Sequence, residues 1–130
     1  MEPLVAPLVF ELKRLGVFYP CWSCEGHADQ TGKLRTIPRV WFYADSVVHI
    51  RGLAEAVNRL FNEHRLSARW NVIVTYSDAD NPDTTFSLEP QATTEFSLNG
   101  LHGDLRVMSE ELEQTFWTIC DTLAGLAPGE

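Results

Sequence analysis

The chain has 130 residues, 45% of them hydrophobic and 22% charged, values that are ordinary for a globular protein and exclude a disordered or fibrous one. No apolar run reaches the roughly 18–20 residues that a membrane-spanning helix needs, and the N-terminal stretch lacks the basic region and the cleavage site of a signal peptide. We therefore expect a single cytoplasmic domain over residues 1–130, large enough to bury its own core.

The net charge of −8 is unevenly distributed along the chain. Residues 1–70 hold nine Lys and Arg against seven Asp and Glu, whereas residues 71–130 hold one Arg against eleven acids. Such an acidic half argues against binding to nucleic acid, whose phosphates need a basic surface, and against docking on an anionic membrane. The partners that remain are a small-molecule ligand, another protein or a second copy of the chain.

Hydrophobic periodicity and turn residues predict three helices and five strands in the order α-β-β-α-β-β-β-α. The helices are predicted at Glu2–Leu15, from Asp45 to about Arg65, and from Ser109 onward. The strands are predicted at Val17–Trp22, Thr36–Ala44, Ala68–Tyr76, Thr84–Leu88 and Thr94–Leu98. Because Pro7 would kink a helix that starts at Glu2, the alternative for the first helix is a start near Ala6 with Pro7 in the first turn.

This order predicts an α+β domain with a mainly antiparallel sheet of four to five strands and with the helices packed on one face. Thr84–Leu88 and Thr94–Leu98 have related sequences, and we expect them to pair as an antiparallel hairpin. Ser77–Asp83 is rich in Asp, Asn and Pro and is predicted to be a turn. Leu101–Val107 fits either a loop or a short last strand.

The segment Cys21–Asp29, here called the Cys/His window, has the highest density of chemically active side chains. It holds Cys21, Cys24, Glu25, His27 and Asp29. A chain with three cysteines in a reducing compartment is expected to keep them as thiols or metal ligands. Cys120 lies on the apolar side of the last predicted helix and is expected to be a buried hydrophobe. Pro20 indicates that the strand before the window is an edge strand or ends there.

The first hypothesis for the window is a metal site. Cys21, Cys24 and His27 form a Cys-x₂-Cys-x₂-His pattern, and Asp29 adds an oxygen ligand. Thiolate, imidazole and carboxylate together suit zinc best. A fourth ligand of a closed site would be His49, His64 or His102. Because residues three apart on a strand point to opposite faces, the two thiols converge only if the strand ends near Pro20.

The second hypothesis is thiol chemistry. Cys-Trp-Ser-Cys has the spacing of a redox dithiol, but the Glu-Gly-His that follows is a poor start for the helix that such a motif needs. The alternative is a single nucleophile, Cys24, with His27 as its base, although no third, orienting group is evident in the sequence. Cys24 and His27 are therefore the candidate catalytic residues.

The third hypothesis is a loop that binds a small anionic ligand. Gly26 permits backbone angles that turn neighbouring N–H groups toward an anion. The ligand-binding candidates are Trp22, Gly26, Lys33, Arg35, Arg39 and Trp41. The three basic residues among them suit a carboxylate or phosphate group, and the two tryptophans offer a stacking surface.

The alternative to these hypotheses is that the window has only a structural role. In it the two cysteines of the window are half-buried strand residues, His27 caps a turn and the basic residues are only solvated. The protein would then be a non-catalytic interaction domain, with its acidic second half against a partner and its window a structural turn or a zinc site. We take the small-ligand site, binding or catalytic, as the working hypothesis, with zinc as the cofactor to test.

Ser23-Cys24-Glu25-Gly26, placed between one predicted strand and a Trp-Phe-Tyr strand that leads into a helix, resembles the Ser-Cys-x-Gly region of the wybutosine-synthesis tRNA methyltransferases. The resemblance implies a tRNA substrate, which the acidic surface of this chain does not suit. We therefore transfer neither that activity nor any site residue to this protein.

Overall fold

The computed structural model describes residues 2–78 and 81–125, with side chains for all of these except 76–78, 81–83 and 125. The helices are α1 (Ala6–Arg14), α2 (Val47–Asn62) and α3 (Leu98–Gly125). The strands are β1 (Phe18–Cys24), β2 (His27–Ala28), β3 (Leu34–Thr36), β4 (Arg39–Ala44), β5 (Trp70–Asp78) and β6 (Asn81–Pro90). Across these described ranges, no helix combines the length and the apolar character needed to cross a membrane.

The four long strands form one antiparallel sheet in the order β1-β4-β6-β5. The short strands β2 and β3 pair with each other as a separate ribbon, inserted in the chain between β1 and β4. The α+β class, the antiparallel sheet and the order of the long elements are confirmed. β1, which contains Pro20, is an edge strand, and the apolar strand β4 lies inside the sheet.

The strand register divides the sheet into a helix-covered face and an outer face. Val40 of β4 lies opposite Leu88 of β6, and both are fully buried on the helix-covered face. Phe18 and Phe42 share this face and meet edge to face, with ring centroids 5.4 Å apart, and Phe116 of α3 contacts the other side of Phe18. The core therefore lies between the sheet and the helices, which pack on one face as predicted.

The first helix takes the shorter of its two predicted forms. It begins at Ala6 with Pro7 in the first turn, where the missing N–H of proline leaves no hydrogen bond unmade. The second helix starts after Ser46, whose Oγ accepts a hydrogen bond of 3.1 Å from the backbone N–H of Val48. This is the N-cap that a serine at that position predicts.

The predicted pairing of 84–88 with 94–98 is wrong. Residues 84–88 lie within β6, between β5 on one side and β4 on the other, so that Ser87 is opposite both Ile73 and Trp41. Residues 94–97 form no strand, and Leu98 is already the first residue of α3. The similar sequences of the two segments therefore do not reflect pairing between them.

Leu101–Val107, predicted as a loop or a strand, is helical, and α3 begins at Leu98 rather than at Ser109. The buried stripe of α3 starts with Leu101, Leu105, Met108, Leu112 and Phe116. These residues recur at helical spacing, so they give the segment one continuous apolar face. Gly100 and Gly103 each cost the helix roughly 1 kcal/mol relative to Ala, a cost that burial of the stripe exceeds.

The predicted turn at Ser77–Asp83 is narrower than expected. β5 continues to Asp78, β6 begins at Asn81, and these two residues pair across the end of the hairpin. The connecting residues 79–80 lie outside the described ranges.

Candidate functional site

Three side chains that can bind a metal converge at one end of β1. A carboxylate oxygen of Glu2, the Sγ of Cys24 and a ring nitrogen of His27 all lie within 4.8 Å of one another. Among the side chains that the structure describes, this is the only such group of three or more Cys, His, Asp or Glu residues. Cys24 is buried, Glu2 is half-buried and His27 is exposed, so the group has a closed inner side and an open outer side.

Each member of the group comes from a different element. Glu2 belongs to the segment before α1, Cys24 ends β1, and His27 begins β2. The turn between Cys24 and His27 depends on Gly26, whose φ of +84° suits glycine. A Cβ at this position would lie 2.8 Å from both the Pro38 nitrogen and the Thr36 carbonyl oxygen, so the turn also needs the small size of glycine.

Two hydrogen bonds hold the N-terminal segment against the window. The backbone N–H of Glu25 donates to Glu2 Oε1, and the backbone N–H of Leu4 donates to Glu25 Oε2, each over 2.8 Å. The other carboxylate oxygen of Glu2, Oε2, lies 3.5 Å from Nε2 of His27. Glu2 is thus positioned by one oxygen and presents the other to the group.

The thiol of Cys24 lies next to a backbone hydrogen-bond donor. Its Sγ accepts a hydrogen bond of 3.4 Å from the backbone N–H of Gly26. A backbone N–H can also donate to a metal-bound thiolate, the form in which cysteine binds metals. The local backbone is therefore compatible with a metal-bound thiolate at Cys24.

Cys21 is not a member of the group. β1 continues through Cys24, so the condition for convergence of the two window thiols, an end near Pro20, is not met. Cys21 is the extra residue of a β-bulge, between the Pro20 and Trp22 pairs with β4. Its Sγ donates to the carbonyl oxygen of Trp41 over 3.5 Å, and partial burial raises the pKa of its thiol.

Asp29 is also engaged elsewhere. Its Oδ1 accepts hydrogen bonds from the Thr31 hydroxyl at 2.6 Å, from the Thr31 backbone N–H at 2.9 Å and from the Lys33 backbone N–H at 2.9 Å. The Thr31 hydroxyl, followed by the Lys33 backbone N–H, lowers the pKa of the Asp29 carboxyl below its usual value of 3.8. Asp29 closes the turn between β2 and β3 and does not face the Glu2–Cys24–His27 group.

The three distant histidines have different surroundings. His102 of α3 does approach the window, but its Nε2 lies 2.8 Å from the carbonyl oxygen of Glu25, which can only accept a hydrogen bond. That nitrogen therefore carries a hydrogen and is not free to bind a metal. His49 lies between the rings of Phe18 and Trp117, and His64 is exposed just after α2.

The candidate ligand-binding residues do not form one cluster. Lys33 and Arg35 are exposed and line two different surface depressions, of about 430 Å³ and 450 Å³. Arg39 is half-buried and lies directly opposite Cys24 in the β1–β4 register. Trp22 and Trp41 are a cross-strand pair with ring centroids 4.7 Å apart.

Sequence reasoning missed Glu2. The residue lies 22 positions before Cys24, in a stretch expected to be the start of a helix, and no local spacing connects it with the window. Only the packing of α1 beside β1 brings the segment before the helix to the end of the strand. An isolated acid ahead of Pro3 carried no signal that would have identified it.

The arrangement favours metal binding over a proton relay. One ring nitrogen of His27 is within 4.8 Å of both Cys24 Sγ and a Glu2 oxygen, so three donor atoms surround one point. In a relay the two ring nitrogens face different partners, one the nucleophile and the other the orienting acid. The group is therefore a better match to three ligands of one metal ion.

Comparison with protein-family models, with curated proteins and with solved structures finds no match to this chain.

Proposed function

We propose that the protein binds one zinc ion through Glu2, Cys24 and His27 and that this ion takes up a small anionic ligand. The observation that carries the proposal is the convergence of the three donor atoms within 4.8 Å. One thiolate, one imidazole and one carboxylate form a mixed S/N/O set, which zinc accepts more readily than magnesium or calcium, whose ligands are oxygens.

The distances require only a small contraction. With zinc bonds of about 2.0 Å to N and O and 2.3 Å to S, tetrahedral ligand atoms lie roughly 3.3–3.6 Å apart. Glu2 Oε2 and His27 Nε2 are already at 3.5 Å. The other separations are at most 4.8 Å, and the exposed side chain of His27 and the half-buried one of Glu2 would adjust toward the buried Cys24.

Three protein ligands leave a coordination position for water or an anion, as in catalytic zinc sites. The outer side of the group is open because the side chain of His27 is 55% exposed and that of Glu2 36%. Arg39, opposite Cys24 in the neighbouring strand, adds positive charge next to the group. These features support an anionic ligand such as a carboxylate or phosphate, in a cytoplasmic protein that keeps Cys24 reduced.

The proposal is tested by replacing the metal with cobalt(II), whose visible spectrum reports thiolate ligation and coordination number. Wild type should show a sulfur-to-cobalt charge-transfer band and tetrahedral cobalt bands, and titration with acetate or phosphate should change the latter. Cys24→Ser should lose the charge-transfer band, whereas the matched control Cys21→Ser should keep it. A spectrum that depends on both cysteines, or that no anion alters, would contradict the proposal.

A nucleophilic thiol is the second function that these residues can support. It requires the His27 ring to turn so that Nδ1 faces Cys24 while Nε2 keeps its contact with Glu2 Oε2, now 3.5 Å. Glu2 would then be the orienting group that the sequence hypothesis of a Cys24–His27 pair lacked. In that case metal-free protein should be alkylated by iodoacetamide fastest at Cys24, and Glu2→Gln should slow that reaction. Reaction at Cys24 no faster than at Cys120, with stoichiometric zinc in the purified protein, would exclude this second function.

A further inference from the structure

The outer face of the sheet carries a continuous row of side chains across all four strands. In the register, Trp22 of β1 lies opposite Trp41 of β4, Trp41 opposite Ser87 of β6, and Ser87 opposite Ile73 of β5. The described helices pack on the other face, so they do not cover this row. The row and its neighbours Tyr19 and Arg39 are here called the outer patch.

The outer patch is unusually aromatic for an uncovered surface. Tyr19, Trp22 and Ile73 are 50%, 46% and 43% exposed, whereas large apolar side chains of a sheet normally face the core. The Trp22 and Trp41 rings are inclined at 48° with centroids 4.7 Å apart, which is neither an offset stack nor an edge-to-face pair. The two indoles are thus neighbours without being locked in a preferred arrangement.

Three polar atoms without a partner lie in the same patch. Among the described side chains, the Nε of Arg39, the Nε1 of Trp41 and the Oγ of Ser87 are buried and make no hydrogen bond. Ser87 is fully buried. The one other such atom in the described part of the chain is in His49, beside Phe18 on the helix-covered side. Buried polar groups are nearly always hydrogen-bonded. Three unpaired ones in a single patch therefore suggest that a bound molecule supplies their hydrogen-bond partners.

We propose that the outer patch binds a planar aromatic carboxylate. The ring of such a ligand would lie against Trp41 and Trp22, which present flat apolar surfaces. Its carboxylate would accept hydrogen bonds from Arg39 Nε–H and Trp41 Nε1–H, the two partnerless donors, which are two residues apart on the same face of β4. The Ser87 hydroxyl can then donate to the same ligand.

Trp22 is the residue that must move to admit the ligand. Its ring contacts that of Trp41, with centroids 4.7 Å apart. It is about half exposed and lies on the edge strand β1, next to the β-bulge at Cys21. A β-bulge disrupts the strand ladder locally and can redirect a neighbouring side chain. The ligand would therefore enter between the two indoles and replace a poor aromatic contact with two stacked ones.

This binding site shares Arg39 with the surroundings of the proposed zinc site, but it does not need the zinc ion. Its residues are anchored by the sheet register, whereas the Glu2–Cys24–His27 group depends on the N-terminal segment and the turn at Gly26. Removal of Cys24 should therefore leave the outer patch intact, and the two proposals can fail separately.

The indole N–H resonances of the four tryptophans provide the test, in two-dimensional ¹H–¹⁵N spectra of the labelled 130-residue chain. Indole-3-carboxylate should move the Trp41 Nε1–H signal downfield in a saturable way. Trp70, whose Nε1 donates to Asp104 at 2.9 Å in the core, and Trp117, on α3, should not move and serve as internal references. Cyclohexanecarboxylate, which is anionic but not planar, and tryptamine, which carries an indole but is cationic, should bind at least about tenfold more weakly.

Substitutions distinguish the stacking contact from the charge contact. Trp22→Ala and Arg39→Gln should each weaken the binding of indole-3-carboxylate by about tenfold, because each removes one stacking or charge contact. The matched controls Trp117→Ala and Arg51→Gln should leave it unchanged. The titration repeated on Cys24→Ser should give the wild-type affinity, and a loss of binding there would overturn the independence of the two sites.

Absence of any Trp41 shift at millimolar indole-3-carboxylate would overturn the proposal. So would equal binding of tryptamine, which would show that charge is not recognised. A Trp41 signal that moves with protein concentration and not with the probe would assign the outer patch to a second copy of the chain instead.

Discussion

The Oε1 atom of Glu2 accepts a hydrogen bond of 2.8 Å from the backbone N–H of Glu25, which joins segments 23 positions apart in the chain. In the opposite direction, the carboxylate of Glu25 accepts a hydrogen bond from the backbone N–H of Leu4. This reciprocal pair fixes the N-terminal segment on the turn that follows β1. It also turns the second oxygen of Glu2 toward His27, and so completes the candidate metal group.

Glu2→Gln should weaken zinc binding by about 100-fold or more, above the 10–100-fold typical for loss of an outer-shell partner. The amide oxygen of glutamine can still accept from Glu25 N–H, so the thermal stability of the metal-free protein should change little. Glu110→Gln, an exposed position on α3, is the control. Competition titration with a chelator measures the affinity, and an unchanged value would remove Glu2 from the site.

Zinc should protect one window thiol and not the other. In the zinc-loaded protein, iodoacetamide should modify Cys21 but not Cys24, as determined by mass spectrometry of peptides. Because partial burial raises the pKa of the Cys21 thiol above its usual value of 9.0, its thiolate is scarce at neutral pH. Its modification rate should therefore still be rising at pH 9. Equal protection of both cysteines would indicate a two-thiolate site.

Gly26→Ala should destabilise the protein much more than Gly32→Ala. Both glycines have φ near +85°, at +84° and +86°, so both substitutions bring backbone strain of about 1 kcal/mol. Only at Gly26 would the added Cβ also strike backbone, at 2.8 Å from Pro38 N, whereas at Gly32 nothing lies within 4 Å. We expect losses of about 3 and 1 kcal/mol in the free energy of unfolding, measured in urea. Equal losses in the free energy of unfolding would mean that the backbone around Gly26 shifts to accommodate the added Cβ at little cost.

Asp104→Asn should lower the free energy of unfolding by about 2–4 kcal/mol. The buried Asp104 carboxylate accepts hydrogen bonds from Ser67 N–H and Oγ–H, from Ala68 N–H and from Trp70 Nε1–H. An amide would turn its NH₂ group toward these donors and leave some of them unpaired. Asp121→Asn, exposed on the same helix, should be close to neutral in the same urea titration.

Thr31→Val should raise the pKa of Asp29 toward 3.8, because the Thr31 hydroxyl is the largest cause of its lowering. The folded-state pKa is below the unfolded one, so ionised Asp29 stabilises the turn at neutral pH. That stabilisation is lost as the pH falls through the lowered folded-state value. NMR titration of the Asp29 carboxyl measures the pKa, with Thr118→Val as the control. No change in Thr31→Val would assign the shift to the backbone donors.

Much of the fold could be predicted from the sequence, because hydrophobic spacing and helix-capping residues are local signals. The helix after Ser46 and the strand β4 follow directly from such signals, although β4 begins at Arg39 rather than at the predicted Thr36, which belongs to β3. The start of α3 was misjudged because Asn99-Gly100 and Gly103 are turn and breaker residues locally. The decisive contribution there is burial of Leu101 and Leu105 against the rest of the core, which is a tertiary effect.

Only part of the candidate site could be predicted from the sequence, again because tertiary packing leaves no local signal. Cys24 and His27 are three apart and could be identified from spacing alone. Glu2 reaches the window through the packing of α1, so its contribution could not be foreseen. His102, one of the three histidines considered as a fourth ligand, does reach the window from α3, but it contacts the carbonyl oxygen of Glu25. The metal hypothesis needed the strand to end near Pro20 for Cys21 to converge with Cys24, and β1 instead continues through both residues.

The central claim is that one thiolate, one imidazole and one carboxylate bind a single zinc ion, and equilibrium zinc titration tests it most directly. Metal-free wild type and Cys21→Ser should each bind one zinc ion per chain with the same affinity, and Cys24→Ser should bind none at equal concentration. Equal zinc binding by wild type and Cys24→Ser, or loss of binding in Cys21→Ser, would contradict it.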